Sequence, residues 1–156
     1  MKRSQYLTVM ENKTNVQWKS MRYRTLCNEE GQNSFDIKIR FIQPPSSNNR
    51  YVDIRSFIDG KATKVGVSLK IDEFNEIIKS IREQKDLYKK YNNREVLLKC
   101  NGESGFEIKL VRLLKDDSKR DGFITISKKQ GQELLDTANL LNVIFNSEET
   151  FKRLSK

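Results

Sequence analysis

The stretch GKATKVGVSLKIDEF, residues 60–74, predicts a strand that passes directly into a helix. Val65, Val67 and Leu69 alternate with polar residues, as in a strand with one buried face. From residue 72 the apolar residues take helical spacing instead, and two acidic residues in the first turn suit the helix dipole. We therefore expect a strand and a helix joined without a loop.

Further strands and a second helix are predicted on both sides of this junction. Alternating or β-branched segments predict three earlier and three later strands, with breaker-rich loops between them. The predicted strands cover residues 16–26, 34–42, 51–58, 94–100, 106–114 and 123–127. The predicted helices cover residues 72–91 and a segment that begins near residue 128.

The second half of the chain repeats the order of elements in the first half. With a shift of 57 residues, VSLKIDEFNEII at 67–78 aligns with ITISKKQGQELL at 124–135 without a gap. Two such units would each bury one sheet face and one helix stripe against the other. The predicted fold class is therefore α+β, in which antiparallel sheets are each followed by a helix.

This organisation divides the 156 residues into three segments. Residues 1–14 are expected to form a flexible basic N-terminus. Residues 15–92 are expected to form a first ββββα repeat, and residues 93–156 a second and shorter repeat of sheet plus helix.

The charge of the chain predicts a polyanionic partner. The formal net charge is +9, and most of the excess lies before residue 72. An excess on this scale favours nucleic acid first and an anionic membrane surface second. A charge that serves only solubility remains the alternative.

The composition argues against metal and acid–base chemistry. The chain has no histidine, and its two cysteines, Cys27 and Cys100, form no CxxC motif. We therefore expect no zinc site, no histidine general base, no cofactor and no enzymatic activity. Two isolated cysteines favour a reducing, intracellular compartment, and no apolar run predicts a signal peptide or a membrane span.

Residues 34–91 resemble the single-stranded DNA-binding core of the transcriptional coactivator family called positive cofactor four. That family has a strand with Asp-Ile-Arg at its centre, a basic loop, and Lys-Gly-Ile-Ser-Leu entering a helix. The matching residues here are Asp53-Ile54-Arg55, the loop from Asp59 to Lys64, Val65-Gly66-Val67-Ser68-Leu69 and Phe74. The chain departs from the family at Ile58, where an aromatic is usual, and at Lys70-Ile71, which replaces Asn-Pro. Over residues 94–147 only the order of elements and the strand-to-helix junction are similar.

The resemblance implies a curved antiparallel sheet backed by a helix, paired so that two sheet faces bind single-stranded nucleic acid. Whirly proteins and the purine-rich-element-binding proteins are similar in architecture, and the latter pair two repeats within one chain. The tandem repeat here therefore implies an intramolecular pseudo-dimer, and further pairing into a homodimer stays open. The expected partner is single-stranded DNA, with RNA as the alternative, and the expected setting is transcription, replication or recombination.

Candidate binding residues lie on the polar face of the first sheet and in its basic loop. Binding a single strand needs cations along the phosphates and flat rings that stack on bases. The candidates are Lys38, Arg40, Arg55, Lys61, Lys64 and Lys70 for phosphates, and Tyr51 and Phe57 for stacking. If the sheet faces are inverted, the two rings would cover the helix instead. The second repeat is richer in acids, so we expect it to serve a structural or partner-binding role.

Two other functions fit parts of the sequence. A protein-interaction subunit of a transcription or replication complex would use its charge for solubility and would bind its partner without nucleic acid. A nuclease would need clustered carboxylates, but Asp36, Asp53 and Asp59 are scattered and Asp116-Asp117 lies in a predicted loop. The sequence therefore favours binding over catalysis.

Overall fold

The computed structural model describes residues 19–28, 35–43 and 49–146, which form two four-stranded antiparallel sheets, each followed by a helix. The first unit contains β1 (Lys19–Thr25), β2 (Asp36–Gln43), β3 (Tyr51–Ile58), β4 (Lys61–Lys70) and helix α1 (Ile71–Glu83). The second contains β5 (Leu87–Lys90), β6 (Arg94–Cys100), β7 (Phe106–Leu113), β8 (Lys119–Ile126) and helix α2 (Lys128–Asn146). The strands of each sheet are neighbours in chain order. The predicted α+β fold with two ββββα repeats is confirmed.

The N-terminal prediction cannot be compared with the structure, because residues 1–14 lie outside the described residues. Within the described ranges, no helix combines the length and the apolar character that crossing a lipid bilayer requires.

One hydrophobic core joins the two repeats. It contains buried side chains from both sheets and both helices, among them Ile54, Leu69, Ile77, Val96 and Leu134. Each aliphatic side chain of this size contributes about 1.5–3 kcal/mol when it is fully buried. Because neither sheet has a core of its own, the two repeats form one structural unit.

The junction between strand and helix is built alike in both repeats. β4 ends at Lys70, and the backbone N–H of Lys70 donates to Oε1 of Glu73 at 2.8 Å. At the start of α2, the N–H of Ser127 donates to Oε1 of Gln130 at 2.8 Å, and the N–H of Gln130 donates to Oγ of Ser127 at 3.0 Å. Side chains three residues into each helix thus satisfy backbone donors that the helix leaves unpaired. The two junctions occupy aligned positions under the 57-residue shift, so the repeat is structural.

The first helix is shorter than predicted. It ends at Glu83, and Gln84 takes a left-handed backbone conformation with φ 56° that closes the last turn. Leu87–Lys90 forms β5, which pairs antiparallel with β6, so the prediction of a helix over residues 72–91 is wrong. The second repeat therefore has four strands and begins at Leu87 rather than at residue 93.

A bulge in β4 changes which residues face the core. Arg55 pairs with Gly66, but Phe57 pairs with Ala62, so β4 has two residues more than β3 in this interval. Val65 lies in the bulge and is 45% exposed, so the prediction that it faces inward is wrong.

The two repeats approach most closely where β4 meets β8. A Cβ added at Gly122 would lie 2.7 Å from the carbonyl oxygen of Gly66 and 3.5 Å from Cγ1 of Val67. This separation is shorter than real Cβ contacts, so glycine is needed for the backbones to approach this closely.

A side chain in the first turn of each helix also bonds to a residue of the other repeat. Glu73 of α1 is buried, and its carboxylate accepts hydrogen bonds from Arg94 of β6 at 2.7 and 2.9 Å. The aligned residue of α2, Gln130, donates to the carbonyl oxygen of Cys27 at 2.7 Å. Two chemically different contacts therefore join the repeats at equivalent places.

Candidate nucleic-acid interface

The polar face of the first sheet contains a buried charge network. Asp53 has no exposed surface, and its carboxylate accepts hydrogen bonds from Nε of Arg40 at 2.6 Å and Oγ of Ser68 at 2.6 Å. Arg55 donates to the same carboxylate from Nε and Nη2, at 3.2 and 3.0 Å. The three charged residues lie side by side because the register pairs Arg40 with Asp53 across β2 and β3.

The network keeps Asp53 ionised. Burial alone would raise the pKa of Asp53, but the charges of Arg40 and Arg55, with hydrogen bonds from Arg55 and Ser68, outweigh burial and lower that pKa. Asp53 thus neutralises positive charge that the sequence had suggested for phosphate binding.

Three of the predicted binding residues are buried. Phe57 is 2% exposed, and its ring lies under the Lys38 ammonium at 4.8 Å and the Arg40 guanidinium at 5.4 Å. Lys38 and Arg40 are themselves 7% and 3% exposed. The expectation that these residues form an exposed binding face is wrong, because their charges and ring interact with one another and with Asp53.

The other five candidates are divided between two places. Tyr51, Arg55 and Lys64 line one cleft between the repeats. Lys61 and Lys70 are exposed at opposite ends of β4 and do not line it.

This cleft, which we call the arginine cleft, has a volume of about 820 Å³. Every described residue that lines it lies in a strand, and both sheets contribute. The lining residues are Ile42, Tyr51, Arg55, Lys64, Gly66, Val67, Ser68, Arg94, Leu110, Arg112, Arg120, Asp121 and Gly122.

Three arginines of the cleft form a row across the second sheet. Arg94 pairs with Arg112, and Arg112 pairs with Arg120, so the three side chains project from one face of β6, β7 and β8. The same face carries core residues such as Val96 and Leu110, so the row continues that face beyond its apolar part. Adjacent strands are about 4.8 Å apart, which places the Cα atoms of the three arginines within a span of about 10 Å.

Only some of the cations in the cleft have carboxylate partners. Arg94 is bound to Glu73 and also donates to the carbonyl oxygen of Ser68 at 2.8 Å. Arg55 is bound to Asp53 and donates to the carbonyl oxygen of Thr63 at 2.9 Å. Both guanidinium groups are thereby fixed in place.

The remaining cations of the lining are Lys64, Arg112 and Arg120, and none of them forms an ion pair with a described residue. Asp121, the carboxylate in the lining, lies 3.6 Å from Lys109 instead.

The electrostatics of Arg112 reflect this crowding. Partial burial lowers its pKa, and the neighbouring charges of Arg94, Arg120 and Arg55 lower it further. Like charges directly opposite one another in a sheet are destabilising, so the row costs folding free energy when no anion is bound. The arrangement is suited to holding an anion between the two sheets.

Sequence reasoning missed the contribution of the second repeat. Arg112 and Arg120 belong to the half that was expected to be structural, but they lie opposite Arg55 in the cleft. The positions of these arginines in the sequence could have predicted the row. Antiparallel strands place the start of β6, the end of β7 and the start of β8 at one edge of the sheet. Arg94, Arg112 and Arg120 stand at those three places.

Two other features of the described residues do not indicate a metal site or a second excess of positive charge. No group of three or more cysteine, aspartate and glutamate side chains in the described ranges is placed to share a metal ion. The opposite face of the second sheet exposes Tyr88 and Phe123, but its charges are balanced, with Lys109 paired to Asp121 and Tyr88 hydrogen-bonded to Glu95.

Comparison of the sequence with protein-family models and with curated proteins gives no match.

Proposed function

We propose that this chain binds single-stranded nucleic acid in the arginine cleft, with DNA as the first candidate and with little sequence specificity. The observation that carries the proposal is the meeting of Lys64, Arg112 and Arg120, which have no carboxylate partner among the described residues, beside the ring of Tyr51. Cations for phosphates and an aromatic for a base are the two requirements of single-strand binding.

The shape of the cleft favours a single strand over a duplex. In the described part of the chain its lining comes entirely from strands, which offer no helix to enter a major groove. Arginine, lysine and tyrosine contact phosphates and base faces, which are common to all sequences. Low specificity follows, as does a strong dependence of affinity on salt.

The biological setting follows from the resemblance of residues 34–91 to the positive cofactor four family, which suggests transcription, replication or recombination. RNA is the alternative ligand. Direct recruitment into a transcription or replication complex is the alternative function.

The test is a fluorescence anisotropy titration of labelled single-stranded DNA, RNA of the same sequence and duplex DNA at two salt concentrations. We expect micromolar or tighter binding to single strands at low salt and weaker binding to the duplex. In the double variant Arg112→Ala/Arg120→Ala, the affinity should fall at least tenfold, since each cation makes a charge-assisted hydrogen bond. The slope of log affinity against log salt should lose about 1.4, or about 0.7 for each lost phosphate contact.

The matched control is Arg82→Ala, which removes an exposed arginine in the last turn of α1, outside the cleft. Its affinity and salt slope should equal those of the unmodified protein. Absence of single-strand binding at low salt would refute the proposed function. Equal losses in the control and the double variant would show that total charge, rather than the cleft, determines binding.

A further inference from the structure

We infer that the arginine cleft recognises the phosphorylated end of a strand, a phosphate monoester, in preference to the phosphodiesters within it. This inference rests on the proposed function and specifies which part of the ligand the cleft holds. It is carried by the compactness of the positive charge and by the number of cations without a partner.

The positive charge of the cleft is concentrated rather than spread along a track. Arg94, Arg112 and Arg120 lie on three adjacent strands within about 10 Å, and Arg55 faces them from the first sheet. A strand passing along a groove presents its phosphates one after another, each with a single negative charge. A compact group of arginines that line one cleft matches a single, more highly charged group better.

The uncompensated charge agrees with that ligand. Glu73 is paired with Arg94, and Asp53 is shared between Arg55 and Arg40, so Lys64, Arg112 and Arg120 are the cations of the described lining that have no carboxylate partner. A phosphate monoester carries about −1.5 to −2 charge at neutral pH and offers three terminal oxygens. Together with the next phosphodiester of the strand it supplies close to three negative charges.

The position of the two fixed arginines supports the same geometry. Arg94 and Arg55 are each held by a buried carboxylate and a backbone carbonyl, so they cannot swing outward to follow a phosphate. Their N–H groups stay beside Arg112 and Arg120, which form no ion pair with a described residue. Planar guanidinium groups bind phosphate oxygens in pairs, and a terminal phosphate has enough oxygens for two such forks.

The apolar and aromatic residues of the cleft can contact the base and sugar of the terminal nucleotide. Tyr51 of β3 and Ile42 of β2 lie on the side of the first sheet, and Leu110 of β7 lies on the side of the second. A cavity of about 820 Å³ is within the range of sites that enclose a small molecule, so it has room for one end nucleotide.

The experiment compares oligonucleotides of one sequence that differ only at their ends. Internally labelled DNA with a 5′-phosphate, a 3′-phosphate or two hydroxyl ends is titrated at pH 7.5, beside a circular single strand that has no end. We expect about tenfold tighter binding to one of the phosphorylated forms than to the hydroxyl form, the value of one or two charge-assisted hydrogen bonds. The circular strand should bind like the hydroxyl form.

The preference should also depend on pH in a way that reports the ligand. The second pKa of a phosphate monoester is about 6, so at pH 5 it carries one charge and the preference should shrink. The chain has no histidine. The charged and titratable groups of the described lining are Tyr51, Arg55, Lys64, Arg94, Arg112, Arg120 and Asp121, and the buried Asp53 and Glu73 pair with Arg55 and Arg94 behind it. Histidine is the side chain whose charge ordinarily changes between pH 5 and 8, so in its absence a pH effect over this interval reports the phosphate.

Variants of Arg112 and Arg120 test whether the preference for a phosphorylated end comes from the arginine cleft. Arg112→Ala/Arg120→Ala should bind all forms equally, and Arg112→Lys, which keeps the charge but loses the fork, should retain only part of the preference. Circular dichroism checks folding, which removal of opposed like charges should not harm. If the unmodified protein binds all forms equally, end recognition is refuted and the proposed function still stands. If the double variant keeps the preference for a phosphorylated end, recognition by the arginine cleft is refuted. No binding to any single strand would refute both.

Discussion

The ion pair between Glu73 and Arg94 yields a quantitative prediction about stability. Glu73 is fully buried, and Arg94 donates to both of its carboxylate oxygens, at 2.7 and 2.9 Å. The N–H of Lys70 donates to the same carboxylate at 2.8 Å. The substitution Glu73→Gln keeps the size of the side chain and one acceptor oxygen. It removes the counter-charge of Arg94 and turns an amide donor toward a group that can only donate.

The size of the loss follows from burial. Removing one partner of a buried ion pair costs about 3–5 kcal/mol because a charge stays behind without compensation. The Arg94 side chain is 10% exposed and borders the arginine cleft, where water screens its charge, so we expect a loss near the lower end, about 3 kcal/mol. For a chain of this length the melting temperature should fall by about 6–12 °C.

The matched control is Glu76→Gln, the same substitution one turn further along α1. Glu76 lies 3.4 Å from Lys89, and the two side chains are 34% and 46% exposed. Such surface pairs contribute about 0–1 kcal/mol. Urea and thermal denaturation, followed by circular dichroism at pH 7, measure both variants against the unmodified protein. Equal losses in the two variants would refute the reasoning, since burial would then make no difference.

Two further predictions concern the contact between the repeats and the buried network. Gly122→Ala should lower the free energy of unfolding, measured by urea denaturation, by about 1–3 kcal/mol. The added Cβ would lie 2.7 Å from the Gly66 carbonyl oxygen and must push β4 and β8 apart. An unchanged free energy of unfolding would show that the two strands can separate without cost. Folding lowers the pKa of Asp53, so this residue contributes to the free energy of unfolding at pH values above its unfolded pKa of about 3.9. That contribution is lost as the pH falls through the folded pKa. Denaturation measured across pH should therefore show that the difference in free energy of unfolding between the unmodified protein and Asp53→Asn becomes smaller below about pH 4. A difference that does not change with pH would contradict the proposal that Asp53 is held ionised by its arginine partners.

Most of the secondary structure could be predicted from the sequence, and the exceptions have local causes. Leu87, Tyr88 and Tyr91 fit helical spacing, but β5 is four residues long, too short for its strand character to show as a period. The bulge that exposes Val65 depends on pairing with β3, which no pattern within β4 records.

The site was harder to predict than the fold because burial and register decide it. Arg40 and Lys38 alternate with apolar residues as exposed cations would, yet they are buried with Phe57 and Asp53. Conversely, Arg112 and Arg120 lie in a half whose charges nearly cancel in sequence, and only the strand register brings them into one row. Which residues form a charged surface therefore depended on pairing between strands rather than on local composition.

The contacts at the two helix starts also determine which halves can pair. Glu73 requires an arginine at the start of the facing sheet's second strand, and the second repeat supplies Arg94 there. The first repeat has no cation at the core-facing start of its own second strand, where the buried Ile37 follows the exposed Asp36, so two copies of the first half would bury two Glu73 carboxylates without a cation. The halves are thus complementary rather than interchangeable, like the subunits of an obligate heterodimer. Joining them in one chain supplies both partners in a fixed one-to-one ratio.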